Sequence, residues 1–71
     1  MGMTLKALRA NKGWTQADAA RETGIAKDTW SNYERGKYYP SVPIIQKIEQ
    51  VFEISYSDII FLPIKNAKSV K

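Results

Sequence analysis

The sequence predicts an all-α domain of five short helices, on three observations. Apolar side chains recur three or four residues apart in several stretches, which is the spacing of one face of a helix. Glycines follow these stretches at positions 13, 24 and 36, where a helix can end in a left-handed conformation. Nothing predicts a sheet convincingly, although residues 61–64 could form a short extended segment.

The first two helices are predicted over residues 4–11 and from about Gln16 to the residue before Gly24. Thr15 can cap the free amide groups at the start of the second helix, and Asp18 stands where a capping box needs a carboxylate. Both ends of this helix are therefore marked in the sequence.

Three further helices follow. The third is predicted over residues 26–35, before the glycine at position 36. Ser41 is expected to cap a fourth helix whose first turn tolerates Pro43, because the first amides of a helix have no intrahelical acceptor. Its buried stripe comprises Ile44, Ile45, Ile48, Val51 and Phe52. Ser55 and Asp58 are expected to open a short fifth helix in the same way.

The chain is long enough for one small domain, expected over residues 1–64, with a basic tail over 65–71 that we expect to be mobile. The formal net charge is +4, and it is unevenly distributed. Residues 1–41 carry +3, residues 42–64 carry −2, and the tail carries +3. The positive charge favours an anionic partner such as nucleic acid without proving one.

The sequence contains no cysteine and no histidine. Disulfides, thiolate or imidazole metal sites and histidine-based catalysis are therefore excluded, and we expect no metal, no cofactor and no small-molecule ligand. The absence of cysteine favours the cytoplasm. No signal peptide is evident, and the longest apolar run, residues 59–64, is too short to span a bilayer. We therefore expect a cytoplasmic, nucleoid-associated protein with no membrane partner.

The third helix has two different faces. Ala26, Trp30 and Tyr33 share one face at helical spacing, and the two aromatic residues are expected to anchor the core. The opposite face carries short polar and charged side chains, namely Lys27, Asp28, Ser31, Asn32 and Arg35. Such a face is usually only solvated. It can also recognise DNA, because Asn pairs with adenine, Lys donates to guanine and Asp accepts from cytosine.

The second and third helices together favour the recognition of DNA. A small residue, Ala20, lets them approach closely, and Gly24 can take the positive φ that turns the chain sharply between them. This is the geometry of a helix-turn-helix, whose second helix enters the major groove.

The stretch "WTQADAARETGIAKDTWSNYERGKYYPS" strongly resembles the Cro/phage-repressor type of DNA-binding domain, also called the XRE family. The resemblance extends over about residues 4–61. It implies a compact five-helix, lambda-repressor-like fold. The implied function is sequence-specific binding of a double-stranded DNA operator, by a transcriptional regulator that acts as a Cro-like repressor in a phage or bacterium.

The resemblance also implies roles for individual residues. Base reading is expected from Lys27, Asp28, Ser31 and Asn32, and phosphate binding from Gln16, Arg35, Lys37, Tyr38 and Tyr39. For Gln16, the support of a base contact is the alternative. Arg9 and Glu34 are expected to form an ion pair that braces two helices. For Tyr38 and Tyr39, covering the edge of the core is an equally weighted alternative to phosphate binding.

The sequence departs from the family pattern in four places. Ala26 stands where Ser or Thr is common, so the third helix lacks its usual N-cap. Thr23 replaces an apolar residue, and Trp30 is bulkier than the usual branched aliphatic. Asp28 repels phosphates, which leaves the identity of the bases open; its place in the first turn is also explained by the helix dipole.

The C-terminal segment is more apolar than a five-helix core can absorb. We expect the surplus, Ile60, Phe61, Leu62 and Ile64, to form a homodimer surface, in solution or only on DNA. A dimer reads two half-sites one helical turn apart. Lys65, Lys68 and Lys71 are expected either to keep the tail soluble or to form a phosphate-binding arm.

Two other classes of function compete with this interpretation. In an antitoxin or accessory module, the apolar C-terminal segment would bind a protein partner and DNA contact would be secondary. An enzyme is disfavoured, because the sequence has no glycine-rich phosphate loop and no carboxylate pair that converges in an evident cavity.

Overall fold

The computed structural model describes residues 2–61 of the chain. Its elements in order are β1 (Met3–Thr4), α1 (Leu5–Asn11), α2 (Gln16–Thr23), α3 (Lys27–Glu34), α4 (Val42–Phe52), a 3₁₀ turn (Tyr56–Asp58) and β2 (Ile59–Ile60). The four α-helices lie where the sequence predicted them, to within one residue at the predicted ends. In this part of the chain, every helix is too short or too polar to cross a membrane.

The capping box at the start of α2 is confirmed. The hydroxyl of Thr15 accepts a hydrogen bond from the Asp18 amide at 3.1 Å, and the Asp18 carboxylate accepts one from the Thr15 amide at 3.0 Å. At the other end of α2, Gly24 takes the predicted left-handed conformation with φ 76°. Both ends of this helix were therefore encoded within a few residues of sequence.

The predicted caps at Ser41 and Ser55 are wrong in detail. Ser41 occupies the N-cap position of α4, but its side chain makes no capping hydrogen bond. An N-cap side chain accepts from the second or third amide of the helix. Pro43, the second residue, has no N–H to offer, and Ser41 makes no bond to the amide of the third residue, Ile44, either. The Ser55 hydroxyl lies 3.1 Å from that of Ser57 instead of joining a capping box.

The predicted fifth helix is only a 3₁₀ turn of three residues, and the expectation that there is no sheet is also corrected. After the turn, β2 runs parallel to β1, with Met3 opposite Ile59 and Thr4 opposite Ile60. Ile59 is buried in the core in an extended conformation, with ψ 128°. A helix cannot continue through a residue that the core and the strand pair hold extended.

The core lies where the four helices meet. Trp30 and Ile48 are completely buried, and the Trp30 ring stacks on Phe52 with 6.0 Å between ring centroids. The Trp14 ring also packs on Phe52, with 5.5 Å between ring centroids. The predicted stripe on α4 is partly confirmed: Ile48 and Phe52 are buried, and the other three residues, Ile44, Ile45 and Val51, are half-buried.

Candidate nucleic-acid interface

The helices α2 and α3 form a helix-turn-helix. After the left-handed Gly24, the Ile25 amide donates to the carbonyl of Ala20 at 3.0 Å, which closes the turn between the two helices. Ala20 is buried with 3% of its surface exposed, and its small side chain lets α3 cross close to α2. The position of α3 is thus set by the turn as well as by the core.

The two faces of α3 are those that the sequence predicted. Trp30 is on the inner face with no exposed surface, and Tyr33 packs against the core beside it. On the outer face, Lys27 and Asp28 are exposed. Ser31 and Asn32 follow on the same side and are half-buried. The four predicted base-reading residues are therefore brought onto one accessible surface.

The start of α3 has no side-chain cap, as expected. Ala26 occupies the N-cap position with an extended backbone, φ −71° and ψ 152°, and offers no acceptor to the free amides. Thr23, the other polar departure near the turn, is buried, but its hydroxyl donates to the carbonyl of Ala19 at 2.7 Å. Its polar group is therefore satisfied within α2.

The carboxylate of Glu34, at the end of α3, accepts hydrogen bonds from three side chains. The guanidinium of Arg9 on α1 donates to both oxygens, at 2.5 Å from Nε and 3.2 Å from Nη2. Gln16 on α2 donates through its amide at 3.1 Å, and the Trp30 indole donates at 2.5 Å. We call these four residues, Arg9, Gln16, Trp30 and Glu34, the Glu34 cluster.

Electrostatics favour the ionised form of Glu34. Burial alone would raise the pKa of its carboxyl, since only 5% of the side chain is exposed, but the hydrogen bonds from Arg9, Gln16 and Trp30 together lower that pKa below its usual value. The bond to Glu34 raises the pKa of Arg9 in turn. The predicted ion pair is confirmed, and it is shielded from water, with 16% of the Arg9 side chain exposed.

Sequence reasoning missed two members of this cluster. Gln16 was expected at a phosphate, whereas its amide nitrogen is bound to Glu34; its contact with DNA stays a prediction. Trp30 was expected only as a core anchor. Its spacing of four residues from Glu34 on one helix could have indicated the indole–carboxylate bond.

Positive charge follows α3 directly. The guanidinium of Arg35 is exposed, and it donates to the side-chain carbonyl oxygen of Asn32 at 2.7 Å. The ammonium of Lys37 lies 5.8 Å from the ring centre of Tyr38, a cation–π distance. Arg35 is thus bonded to the outer face of α3, and the backbone amide of Lys37 donates to the carbonyl of Asn32 at 2.9 Å. The phosphate-binding role that the resemblance implies for these two residues stays a prediction.

The two loop tyrosines differ in their surroundings. Tyr39 packs on Phe61, with ring centres 5.0 Å apart, and its hydroxyl lies 3.4 Å from that of Tyr56. This hydrogen bond raises the pKa of Tyr39. Tyr38 is 55% exposed beside Lys37. Tyr39 therefore has packing contacts at the edge of the core, while the Tyr38 ring faces solvent.

The expected dimer surface, Ile60, Phe61, Leu62 and Ile64, is called the C-terminal apolar surface below, and only part of it lies within the described residues. Ile60 is 48% exposed, and Phe61 is half-buried between Tyr39 and Tyr56. Leu62 and Ile64 lie outside the described residues, as do the three lysines of the tail. Next to Phe61 is an open groove of about 500 Å³, which we call the apolar groove; it is lined by Tyr39, Pro40, Val42, Ile45, Gln46, Glu49 and Tyr56.

Comparison with known proteins places this arrangement in a family. A family model described as helix-turn-helix matches residues 5–59, which contain all four α-helices. No solved structure gives a significant match.

Curated relatives agree with this match. A helix-turn-helix-type transcriptional regulator from Archaeoglobus fulgidus is 36% identical over 59 residues, covering 83% of each chain. The regulator YgzD from Bacillus subtilis is 31% identical over 62 residues, covering 87% of this chain and 94% of its own. The antitoxin PezA from Streptococcus pneumoniae is 38% identical over 60 residues, but the match spans only 38% of its length. On the geometry of α2 and α3, the extent of the family match and these relatives, the chain belongs to the XRE type of helix-turn-helix DNA-binding proteins.

Proposed function

We propose that this protein is a sequence-specific transcriptional regulator that acts as a Cro-like repressor, with α3 in the major groove of its operator. One observation carries this proposal. The outer face of α3 is accessible and polar, while its inner face is anchored by the fully buried Trp30 and by the Glu34 cluster. A helix that is held this firmly can present its outer side chains to base edges in a defined register.

The side chains on that face supply both kinds of hydrogen-bonding group. Lys27 donates and Asp28 accepts, which suits guanine and the cytosine amino group respectively. Ser31 and Asn32, one turn further along, can both donate and accept. We propose that these four residues select the sequence, while Arg35, Lys37 and Tyr38 bind the flanking phosphates.

Gln16 and Tyr39 can contact phosphates only with the groups that their bonds within the fold leave free. Both are engaged in the fold, Gln16 with Glu34 and Tyr39 with Tyr56. Gln16 nevertheless retains its amide carbonyl and a second N–H, and the Tyr39 hydroxyl can accept one bond while donating another. We propose that they contribute to phosphate binding through these remaining groups.

Selection of bound duplexes from a random-sequence pool tests this function. We expect the wild-type protein to enrich a defined motif and Asn32→Ala to relax one position of it. Circular dichroism of both proteins confirms that each is folded. A pool that is bound without enrichment, and released by salt, would leave only electrostatic attachment and would contradict sequence-specific regulation.

We propose further that two copies bind one operator through the C-terminal apolar surface. Ile60 is 48% exposed and Val42, at the apolar groove, is 66% exposed. Large exposed aliphatic side chains of this kind can bury apolar surface in a protein–protein contact. A dimer also doubles the number of base contacts, which a single small module needs for useful specificity.

Sedimentation velocity with and without operator duplex tests the dimer. We expect two protomers per duplex for the wild type and one for Ile60→Lys, because the introduced charge would be buried at the contact. Ala10→Lys, which adds the same charge at an exposed position on α1, controls for the effect of a changed surface charge. If Ile60→Lys also binds with two protomers per duplex, Ile60 is not part of the interface.

A protein partner for the same surface is the second candidate, and the match to PezA favours it. PezA is named as an antitoxin, and the present chain corresponds to only part of its length. In this case the selection would recover no motif or a weak one. A complex with a partner protein would then be lost in Ile60→Lys and kept in Ala10→Lys.

A further inference from the structure

The hydrogen bond between Arg35 and Asn32 joins a residue assigned to phosphate binding to one assigned to base reading. Nη2 of Arg35 lies 2.7 Å from Oδ1 of Asn32, a short, charge-assisted bond. Asn32 is on the outer face of α3, and Arg35 is the residue at which the helix ends. The bond therefore spans one turn on the surface that faces DNA in the proposed function.

This bond defines the orientation of the Asn32 amide. A free asparagine can rotate its amide by half a turn and exchange the positions of its donor and its acceptor. A guanidinium has only donors. It can therefore bond to the Asn32 amide only when the carbonyl oxygen of that amide faces Arg35. The amino group of Asn32 is then directed away from Arg35.

The bound carbonyl oxygen keeps one lone pair free. Asn32 can still donate from its amino group and accept at this second lone pair, which is the pairing that adenine N7 and N6 require. The cationic donor also polarises the amide and strengthens its N–H as a donor. A fixed amide loses less side-chain entropy on binding than a rotating one.

We infer that Arg35 is a specificity-determining residue that acts through Asn32, by holding its amide in the one orientation that meets an adenine edge. This inference rests on the proposed function, since it requires α3 in the major groove. It adds a role to Arg35 beyond neutralising a phosphate. A phosphate contact alone weakens binding to all sequences alike, whereas a positioning residue alters the preference at one base pair.

The test compares base preferences from random-pool selection for the wild type, Asn32→Ala, Arg35→Ala and the double variant. Lys37→Ala is the matched control, because it removes one positive charge from the same loop. We expect Asn32→Ala to lower the preference for adenine at one position by about tenfold. Arg35→Ala should relax that same position severalfold, and the double variant no further than Asn32→Ala. Lys37→Ala should weaken binding uniformly and leave the motif unchanged.

The outcomes separate this inference from the function on which it rests. If the wild type enriches no motif, both fail. If a motif appears and Asn32→Ala relaxes it, but Arg35→Ala acts as Lys37→Ala does, the function stands and the role of Arg35 is overturned. Additive effects of the two single variants at that position would overturn it as well, because independent contacts add. Relaxation at the same position without additivity supports it.

Discussion

At the scale of single residues, the carboxylate of Glu34 connects three helices. It receives Arg9 from α1, Gln16 from α2 and Trp30 from its own helix. Because 5% of its side chain is exposed, these bonds replace those that water would make. The same carboxylate therefore stabilises the fold and holds the C-terminal end of α3 in place.

Removing Glu34 should be costly. In Glu34→Ala the Arg9 charge loses its partner and the buried indole loses its acceptor, so we expect the free energy of unfolding to fall by about 3 kcal/mol. Urea denaturation measures this. In the double variant with Arg9→Ala the loss should be smaller than the sum of the two single losses, because no charge is stranded. Arg21→Ala, which breaks the exposed pair with Asp18, should have a much smaller effect.

Stability should also depend on the protonation of Glu34. Its pKa in the folded protein is below the ordinary value of 4.5, so the ionised form contributes stability that is complete above this value. The contribution is lost as the pH falls from 4.5 through the lower folded-state pKa. We expect the stability difference between the wild type and Glu34→Gln, measured by urea denaturation, to shrink over this acidic range. A difference that is constant with pH would contradict the role of the charge, since Asp18 and the other carboxylates titrate in both proteins.

At the scale of secondary-structure elements, α3 begins without a cap. Ala26 has the extended backbone of an N-cap residue, and a serine there could accept a bond from an amide of the first turn. We expect Ala26→Ser to raise the free energy of unfolding by about 1 kcal/mol, measured by thermal or urea denaturation. The same change at Ala10, which is exposed inside α1, should lower it by a few tenths of a kcal/mol. A loss of stability in Ala26→Ser would show that the cap geometry is not formed.

The end of α4 carries conformational strain. Glu53 follows the helix with φ 53° and ψ 51°, and among the described residues it is the one non-glycine with a positive φ. Glycine adopts this conformation without cost, so Glu53→Gly should stabilise the protein by up to about 1 kcal/mol in a urea titration. Gln50→Gly, three residues earlier within the helix, should destabilise it by about 1 kcal/mol. Equal losses in the two variants would argue against strain at Glu53.

At the scale of the whole molecule, the distribution of positive charge bears on how the affinity for DNA depends on salt concentration. Residues 1–41, which include the helix-turn-helix and the loop after it, carry +3, and residues 42–64 carry −2. If each subunit neutralises about four phosphates, the slope of log K against log salt should be near −3.6 per subunit. Lys37→Ala should reduce the magnitude of this slope by about 0.9, as measured by fluorescence anisotropy on a duplex recovered by the random-pool selection. Gln50→Ala, on α4, should leave the slope unchanged.

Most of the local structure could be predicted because its causes are local. The box between Thr15 and Asp18 and the turn at Gly24 each depend on residues within a few positions of one another. Where the prediction of a fifth helix failed, a more distant partner was responsible. Ser55 and Asp58 have the composition of a helix start, but the pairing of Ile59 with Met3 holds the following chain extended.

The candidate site shows the same division. The sequence by itself determined the four α-helices, the turn between α2 and α3, and the polar outer face of α3, because helix ends and helix faces follow from short-range spacing. The resemblance to a known family supplied the pairing of Arg9 with Glu34, which are 25 positions apart. Only the tertiary structure decided that Gln16 joins Glu34, that β2 pairs with β1, and that the Arg35 guanidinium holds the Asn32 amide. The first two are contacts between distant parts of the chain, and the third is a choice among side-chain rotamers. Neither kind leaves a periodic mark in the sequence, because both depend on which groups the completed fold brings within hydrogen-bonding distance.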